Sequence, residues 1–244
     1  MKVTTVGYWG AYPSPNGATS CYLVQEKSIN ILLDCGSGAL AKLQNYIELE
    51  ELDAVFISHT HTDHMADIYS LEYAMLIQTQ LGNRKRPLDI YVYEDNFSVL
   101  PFEFPDIVHV HPIKLKESIT VGPLKVSFTE NLHEIPCVAM KVVNTEGKTL
   151  VYSADTGMTE TIKNFGKSAD IFIVECSFFE KQKGFVKGHL STIEVAEIVN
   201  FTKPKITVLT HFPHFGETQQ LIEEVRKYTT EEICLASDGF TINL

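Results

Sequence analysis

Short apolar runs rich in β-branched residues alternate along this chain with longer segments of helical pattern. Strands are predicted at residues 2–7, 20–25, 30–33, 53–58, 89–93 and 206–210, and two further strands end at Asp155 and Glu175. Helices are predicted at residues 39–46, 66–82, 192–201 and 218–228, and the middle of the chain, through residue 148, is rich in hairpins. Strands that alternate with helices in this way predict a layered α/β fold.

The length and composition suit a globular protein with a sizeable core. The chain has 244 residues, of which 44% are hydrophobic, and we expect one domain over residues 1–244. No apolar run reaches the roughly 18 residues of a membrane helix, and no early segment has the pattern of a secretory signal. The five cysteines are scattered without a Cys-x-x-Cys pair, which is typical of a reducing compartment. We therefore expect a cytoplasmic protein without a membrane partner.

The charge balance of the chain is strongly acidic. It has 31 acidic against 20 basic side chains, and the formal net charge is −11. Such a charge repels polyanions at long range, and the sequence has no basic stripe. A nucleic-acid partner is therefore not favoured, although a local cationic site is compatible with this composition.

The segment FISHTHTDHMAD, residues 56–67, places three histidines and two aspartates directly after a predicted strand. In an extended segment His59 and His61 point the same way, because side chains alternate with period two, so they can share one metal ion. Asp63 and His64 follow where the chain turns into the helix, and they can serve a second ion roughly 3.5–4 Å away. The alternative is a solvated, histidine-rich loop. So many potential ligands at one strand end favour metal binding.

Three further candidates follow apolar runs elsewhere in the chain, namely His133, Asp155 and His211. Each has a plainer interpretation: a loop histidine, a helix N-cap and a strand-end histidine satisfied by a backbone carbonyl, respectively. Ligands at the ends of several strands are what a shared sheet edge predicts. Imidazole and carboxylate without thiolate suit zinc best, and manganese or iron would accept the same donors.

The segment HTHTDH matches the His-x-His-x-Asp-His motif of the metallo-β-lactamase superfamily at every ligand position, and the three later candidates occur in that family's order. The sequence resembles this superfamily over nearly its whole length. The resemblance implies a four-layer αββα sandwich with two divalent metal ions and a hydroxide between them as the nucleophile. It assigns ligands to both ions: His59, His61 and His133 to one, Asp63, His64 and His211 to the other, and Asp155 as a bridge.

Three segments, YSADTG, VECSF and GHLSTIEVAEI, are similar to the ElaC or ribonuclease Z branch of that superfamily. By this resemblance His189 donates a proton to the leaving oxygen or stabilises the phosphate, and Glu175 orients it. With the metal ligand Asp63, these are the catalytic candidates. The alternative for His189 is a structural residue at a helix entry, where Ser191 and Glu194 form the pattern of a capping box.

The chain departs from ribonuclease Z in one place. That family has a long glycine- and proline-rich arm that grips tRNA between the third histidine and the bridging aspartate. Here His133 and Asp155 are 22 positions apart, and a plain hairpin around NTEGK, residues 144–148, fills the interval. We therefore favour a phosphodiesterase that hydrolyses cyclic nucleotides or another small phosphodiester. A ribonuclease Z-like tRNA 3′ endonuclease, a lactonase or thioesterase, and a non-catalytic metal-stabilised scaffold remain the alternatives.

Two other segments have weaker implications. The apolar segment 69–81 is either a core helix or a dimer face, and the resemblance to a dimeric family favours a homodimer. The second His-x-His pair, HVHP at residues 109–112, has no acidic or histidine neighbour at ligand spacing along the sequence. We interpret this pair as the exposed face of a strand or loop.

Overall fold

The structure is a computed structural model that describes residues 1–93 and 100–244. The main chain forms two compact units. Unit 1 comprises residues 1–114, 121–123 and 238–243, and unit 2 comprises residues 115–120, 124–237 and 244.

Among the described residues, unit 1 contains a seven-stranded mixed sheet. Its strands are β1 (Lys2–Gly7), β2 (Cys21–Glu26), β3 (Ile29–Leu33), β4 (Ala54–Ile57), β5 (Leu88–Tyr93), β6 (Val108–Ile113) and β14 (Thr241–Asn243), in the spatial order β14-β1-β2-β3-β4-β5-β6. The first three strands pair antiparallel, and β3 to β6 pair parallel. Because parallel strands end at the same edge, the loops that follow β3 and β4 begin side by side.

The described residues of unit 1 form three α-helices: α1 (Ala39–Leu43), α2 (Thr62–Met65) and α3 (Ile68–Gln80). Apolar side chains of α3 join those of the sheet in one buried cluster. The helix predicted at residues 66–82 is confirmed as α3, which begins two residues later than predicted, after its N-cap Asp67. The Asp67 amide donates to the Cys35 carbonyl, and its carboxylate accepts from the Leu40 amide at 2.9 Å, so this residue is tied to the segment after β3. Tyr73 and Ile77 lie half exposed on the other side of α3.

Unit 2 contains a second seven-stranded mixed sheet. Its strands are β7 (Ile119–Val121), β8 (Leu124–Glu130), β9 (Val138–Val143), β10 (Thr149–Tyr152), β11 (Ile171–Glu175), β12 (Ile206–Thr210) and β13 (Ile233–Leu235), in the order β13-β12-β11-β10-β9-β8-β7. Strands β8 to β10 pair antiparallel and β10 to β13 parallel. The predicted hairpin at residues 144–148 is confirmed as the β9–β10 connection. Asp155, Glu175 and His211 all lie at the carboxyl ends of the parallel strands.

The helices of unit 2 are α4 (Glu160–Gly166), α5 (Thr192–Thr202) and α6 (Thr218–Arg226). The sequence analysis did not predict α4. Its N-cap is Thr159, which accepts from the Ile162 amide at 3.2 Å, so the interpretation of Asp155 as a helix N-cap is wrong. The capping box of Ser191 and Glu194 is confirmed at the start of α5. In the described part of the chain no helix combines the length and the apolar character needed to cross a membrane.

Candidate metal centre

The loop after β4 in unit 1 brings four potential ligands together in two pairs. His59 Nε2 lies 3.1 Å from His61 Nδ1, as their alternating positions predict. Asp63 and His64 lie on α2, a short helix that the sequence analysis treated as the end of the loop, and His64 Nε2 is 3.6 Å from Asp63 Oδ2. His59 and His64 are completely buried. A solvated histidine loop is therefore incompatible with the structure.

The spacing of these donor atoms fits metal coordination. Tetrahedral bonds of about 2.0–2.1 Å put neighbouring ligand atoms roughly 3.3 Å apart. The separations of 3.1 Å and 3.6 Å are close to that value. Two imidazoles and an imidazole–carboxylate pair also match the donor preferences of zinc, manganese and iron. The residues of unit 1 thus fit the metal ions that the motif implies.

Asp34, at the end of β3, holds this loop in place and was missed by the sequence analysis. Its Oδ1 accepts from the Ser58 amide at 2.7 Å, and its Oδ2 lies 2.8 Å from Ser58 Oγ and 2.7 Å from His64 Nδ1. The Ala11 amide similarly donates to Asp63 Oδ2 at 2.7 Å. Asp34 follows a buried strand, as Asp155 does, and that position was the available signal. No sequence signal pointed to Ala11.

Unit 2 places Asp155 between two of the predicted ligands. Asp155 Oδ2 lies 3.3 Å from His211 Nε2 and 3.9 Å from His133 Nε2. Both separations are near the expected ligand spacing, and the Asp155 side chain is buried. A carboxylate between two imidazoles has the geometry that a bridging ligand needs.

Hydrogen bonds on the far side of each imidazole set its orientation. His211 Nδ1 lies 2.8 Å from Ser177 Oγ, which donates to Glu175 Oε2 at 2.6 Å. Since the serine proton is used, Nδ1 of His211 donates and Nε2 keeps its lone pair toward Asp155. His133 Nδ1 is 3.1 Å from the Gly188 carbonyl, which orients that ring in the same manner. The structure gives the His211 ring a hydroxyl partner where the plainer interpretation from sequence had a backbone carbonyl, and sequence reasoning missed Ser177.

His189 lies just before α5. It is farther from Asp155 than His211 and His133 are. Its Nδ1 is 3.1 Å from Glu175 Oε1 and 4.0 Å from Asp155 Oδ2. Burial opposes the charged imidazolium, but Glu175, Asp155 and Glu134 outweigh it and raise the pKa of His189 to about 10. In the absence of metal, this imidazole is therefore protonated at neutral pH.

Glu175 is itself held by several donors, which places it well to orient His189. Its Oε1 accepts from the Thr156 amide at 2.8 Å, and its Oε2 accepts from the Leu190 amide at 3.1 Å as well as from Ser177. The glutamate therefore connects His189 with the hydrogen bond that orients His211. Its role in turnover stays a prediction.

Aromatic side chains lie beside His189 in the same unit. The ring centroid of Phe178 is 6.2 Å from that of His189, 5.9 Å from Phe185 and 6.4 Å from Phe215. Phe185 is 76% exposed and Phe215 48% exposed. This aromatic cluster of Phe178, Phe185 and Phe215 gives an apolar surface next to His189.

The second His-x-His pair has an acidic neighbour, contrary to the interpretation from sequence. His111 Nε2 lies 2.7 Å from Asp89 Oδ1, and His109 Nδ1 lies 3.9 Å from the same atom. The contact arises because β5 and β6 pair in parallel with Asp89 opposite His109. Spacing along the sequence could not reveal a partner that the strand register supplies.

Comparison with known proteins agrees with the motif. A family model described as a β-lactamase superfamily domain matches residues 29–212. The chain belongs to the β-lactamase superfamily. Within this superfamily it is 36% identical over 246 residues to the probable metallo-hydrolase YhfI of Bacillus subtilis (strain 168), covering 98% of each protein. This β-lactamase superfamily member is accordingly a metallo-hydrolase.

Likeness to a solved structure confirms the fold. The crystal structure of the metallo-β-lactamase fold protein YhfI from Bacillus subtilis matches with a TM-score of 0.94 and 34% identity, over 99% of this chain and 98% of that one. The predicted α/β fold of the metallo-β-lactamase type is thus confirmed.

Ribonuclease Z of Archaeoglobus fulgidus is a more distant relative, 22% identical over 304 aligned positions that cover all of this chain and 98% of the ribonuclease. That alignment is 60 positions longer than this chain, so the ribonuclease has segments that this superfamily member lacks. The resemblance to the ribonuclease Z-like branch is confirmed.

Proposed function

We propose that this metallo-hydrolase is a phosphodiesterase that acts on cyclic nucleotides or other small phosphodiesters. The observation that carries the proposal is the contact between His189 and Glu175 beside Asp155, which puts an imidazole–carboxylate pair next to a predicted bridging ligand. We take the metal assignment from the superfamily motif: His59, His61 and His133 for one divalent ion, Asp63, His64 and His211 for the other, and Asp155 for both. Zinc suits this donor set best.

The charge of the proposed centre favours an anionic substrate. Two divalent ions contribute four positive charges against two negative charges from Asp63 and Asp155, so the centre is cationic although the chain is acidic. When bound, such ions supply Lewis acidity toward phosphate oxygens and lower the pKa of the attacking water.

His189 is suited to act as the proton donor. Its Nδ1 is engaged by Glu175, so Nε2 is the nitrogen that can donate to the departing oxygen. Proton donation of this kind contributes about 10²–10⁴ in rate. Glu175 acts through His189 by holding the ring and stabilising its positive charge, which makes Glu175 a positioning residue.

Three features favour a small substrate, and the first of them favours one with a nucleobase. The aromatic cluster lies beside His189 and offers exposed rings on which a base can stack, an interaction worth about 1–3 kcal/mol per base. The β9–β10 connection is a tight hairpin, so an arm like that of ribonuclease Z cannot occur there. The net charge of −11 also disfavours a large polyanion such as tRNA.

A substrate panel tests the proposal directly. The metal-loaded protein is assayed on 3′,5′- and 2′,3′-cyclic nucleotides, bis(p-nitrophenyl) phosphate, precursor tRNA, a lactone and an acyl thioester. We expect the highest kcat/KM on a small phosphodiester. Faster cleavage of the lactone or thioester would instead identify a carboxylic-ester hydrolase, and efficient 3′ trimming of precursor tRNA would identify a tRNA endonuclease.

A chelator experiment separates catalysis from a scaffold role. Dialysis against a strong chelator should abolish hydrolysis while the far-UV circular dichroism spectrum persists, and zinc should restore activity. Loss of the folded spectrum together with the metal would instead support a metal-stabilised scaffold.

A further inference from the structure

A second group of potential metal ligands lies on β5 and β6, within unit 1. Asp89 is directly opposite His109, and Tyr91 is directly opposite His111. Residues that are opposite one another or two positions apart point to the same face of a sheet, so Asp89 and the two histidines share one face. Their side chains are 41–47% exposed, so an ion in solution can reach them.

The three donor atoms are close enough to share one ion. Asp89 Oδ1 lies 2.7 Å from His111 Nε2 and 3.9 Å from His109 Nδ1, and all three ligand atoms lie within 4.8 Å of one another. These separations lie on both sides of the roughly 3.3 Å expected for tetrahedral ligands. Side-chain adjustments of about 1 Å therefore suffice to surround an ion.

Stacked rings orient one of the histidines before any ion binds. The His111 ring stacks on Tyr91 at 5.0 Å between centroids and 27° between planes, and Tyr91 stacks on Phe56 at 4.8 Å and 14°. Phe56 is buried, so this column of rings is anchored in unit 1. A ligand that is already oriented loses little rotational freedom when it binds an ion.

We propose that Asp89, His109 and His111 bind one additional zinc-type ion, independently of the proposed catalytic centre. Two imidazoles and one carboxylate favour borderline ions such as zinc over magnesium or calcium, which prefer oxygen ligands. Three protein ligands leave a coordination position for water or a small ligand.

The competing explanation is that Asp89 and His111 form only a hydrogen-bonded pair. Equilibrium dialysis of the zinc-loaded protein at micromolar free zinc, with metal analysis, distinguishes the two. The variants are His111→Asn and Asp89→Asn. The matched control is His214→Asn, which removes the ninth histidine of the chain, one that belongs to neither group.

We expect wild type and His214→Asn to bind one zinc more per chain than either variant, with unchanged circular dichroism spectra. Because the result is a difference, it holds whatever number of ions binds elsewhere. Equal zinc contents in all four folded proteins would overturn the proposal.

A measurement on the wild-type protein covers the case of misfolded variants. The zinc-loaded protein is first dialysed against zinc-free buffer, so that the exposed three-ligand site is emptied. Substoichiometric Ni²⁺ should then broaden the imidazole resonances of His109 and His111 before those of His214. Simultaneous broadening of all three would overturn the proposal.

Discussion

Asp34 Oδ2 lies 2.7 Å from His64 Nδ1, and both side chains are completely buried. The Asp34 carboxylate also accepts a hydrogen bond from the Ser58 amide, and it lies within hydrogen-bonding distance of the Ser58 hydroxyl. These contacts fix the carboxylate against the loop that carries His64. A carboxylate that accepts from Nδ1 directs the Nε2 lone pair outward and makes the imidazole a stronger ligand. Asp34 therefore supports metal binding without being a proposed ligand.

Replacement of this carboxylate should weaken metal binding. We expect Asp34→Asn to reduce zinc affinity by about 10- to 100-fold, because the amide is a weaker and uncharged acceptor for His64. Competition with a chromophoric zinc chelator measures the effect. The control is Asp67→Asn, since Asp67 accepts from the Leu40 amide in the same unit. Equal affinities of the two variants would contradict the role of Asp34.

Removal of the proposed proton donor should affect turnover and leave metal binding intact. We expect His189→Ala to lower kcat on a small phosphodiester by about 10²–10⁴ while the metal content stays that of wild type. Substrates with a good leaving group, such as p-nitrophenolate, need less protonation and should lose less activity. Unchanged turnover on a poor leaving group would refute the assignment.

The stability of the metal-free protein should depend on the charge of His189. Its folded-state pKa of about 10 lies above the ordinary histidine value of about 6.5. The stabilisation is therefore complete below about pH 6.5 and is lost as the pH rises toward 10. Urea unfolding of wild type and His189→Gln, both with chelator, should show a stability difference that shrinks over this interval. A difference independent of pH would contradict this prediction.

The buried carboxylate of Glu224 should stabilise unit 2. Burial raises its pKa, but hydrogen bonds from the Glu180 amide, Gln220 and Thr192 outweigh burial and lower it. We expect Glu224→Gln to lower the free energy of unfolding by about 1–3 kcal/mol at pH 7. The glutamine amide has one acceptor oxygen instead of two, so not all of the donors from Glu180, Gln220 and Thr192 keep a partner. The loss should diminish as the pH falls through the folded-state pKa, below the ordinary value of about 4.3.

The matched control for this variant is Glu223→Gln, an exposed neighbour on α6. Urea unfolding at pH 7 and at acidic pH measures both variants. Equal stabilities of the two at pH 7 would show that the contacts of Glu224 contribute nothing.

The cysteines of the native protein should react slowly with alkylating agents. Burial raises the pKa of the Cys21, Cys35 and Cys176 thiols, and it raises that of Cys234 to about 11. At pH 8 a thiol with a pKa of about 11 is roughly one thousandth thiolate, and the thiolate is the reactive form. Mass spectrometry after brief iodoacetamide treatment should find little label in the native protein and up to five labels in urea. Rapid native labelling would contradict these environments.

Much of the fold could be predicted from local pattern alone. The strands around β1, β3, β4 and β12 and the hairpin at residues 144–148 follow from short-range alternation and turn residues. The exact start of α3 could not be predicted, because Asp67 is held by residues about 30 positions earlier. Helix α4 was missed because its seven residues are too few for a clear periodic pattern.

The sequence by itself determined the family and the candidate ligands, because the His-x-His-x-Asp-His motif and the residues at strand ends are features of local order along the chain. Only the tertiary structure decided how those residues are oriented and which others join them. Asp34 reaches His64, Ser177 reaches His211, and Asp89 reaches His111 through strand pairing and loop packing. Such contacts join residues 22 to 34 positions apart, and the register that creates them is a property of the folded sheet rather than of any short segment.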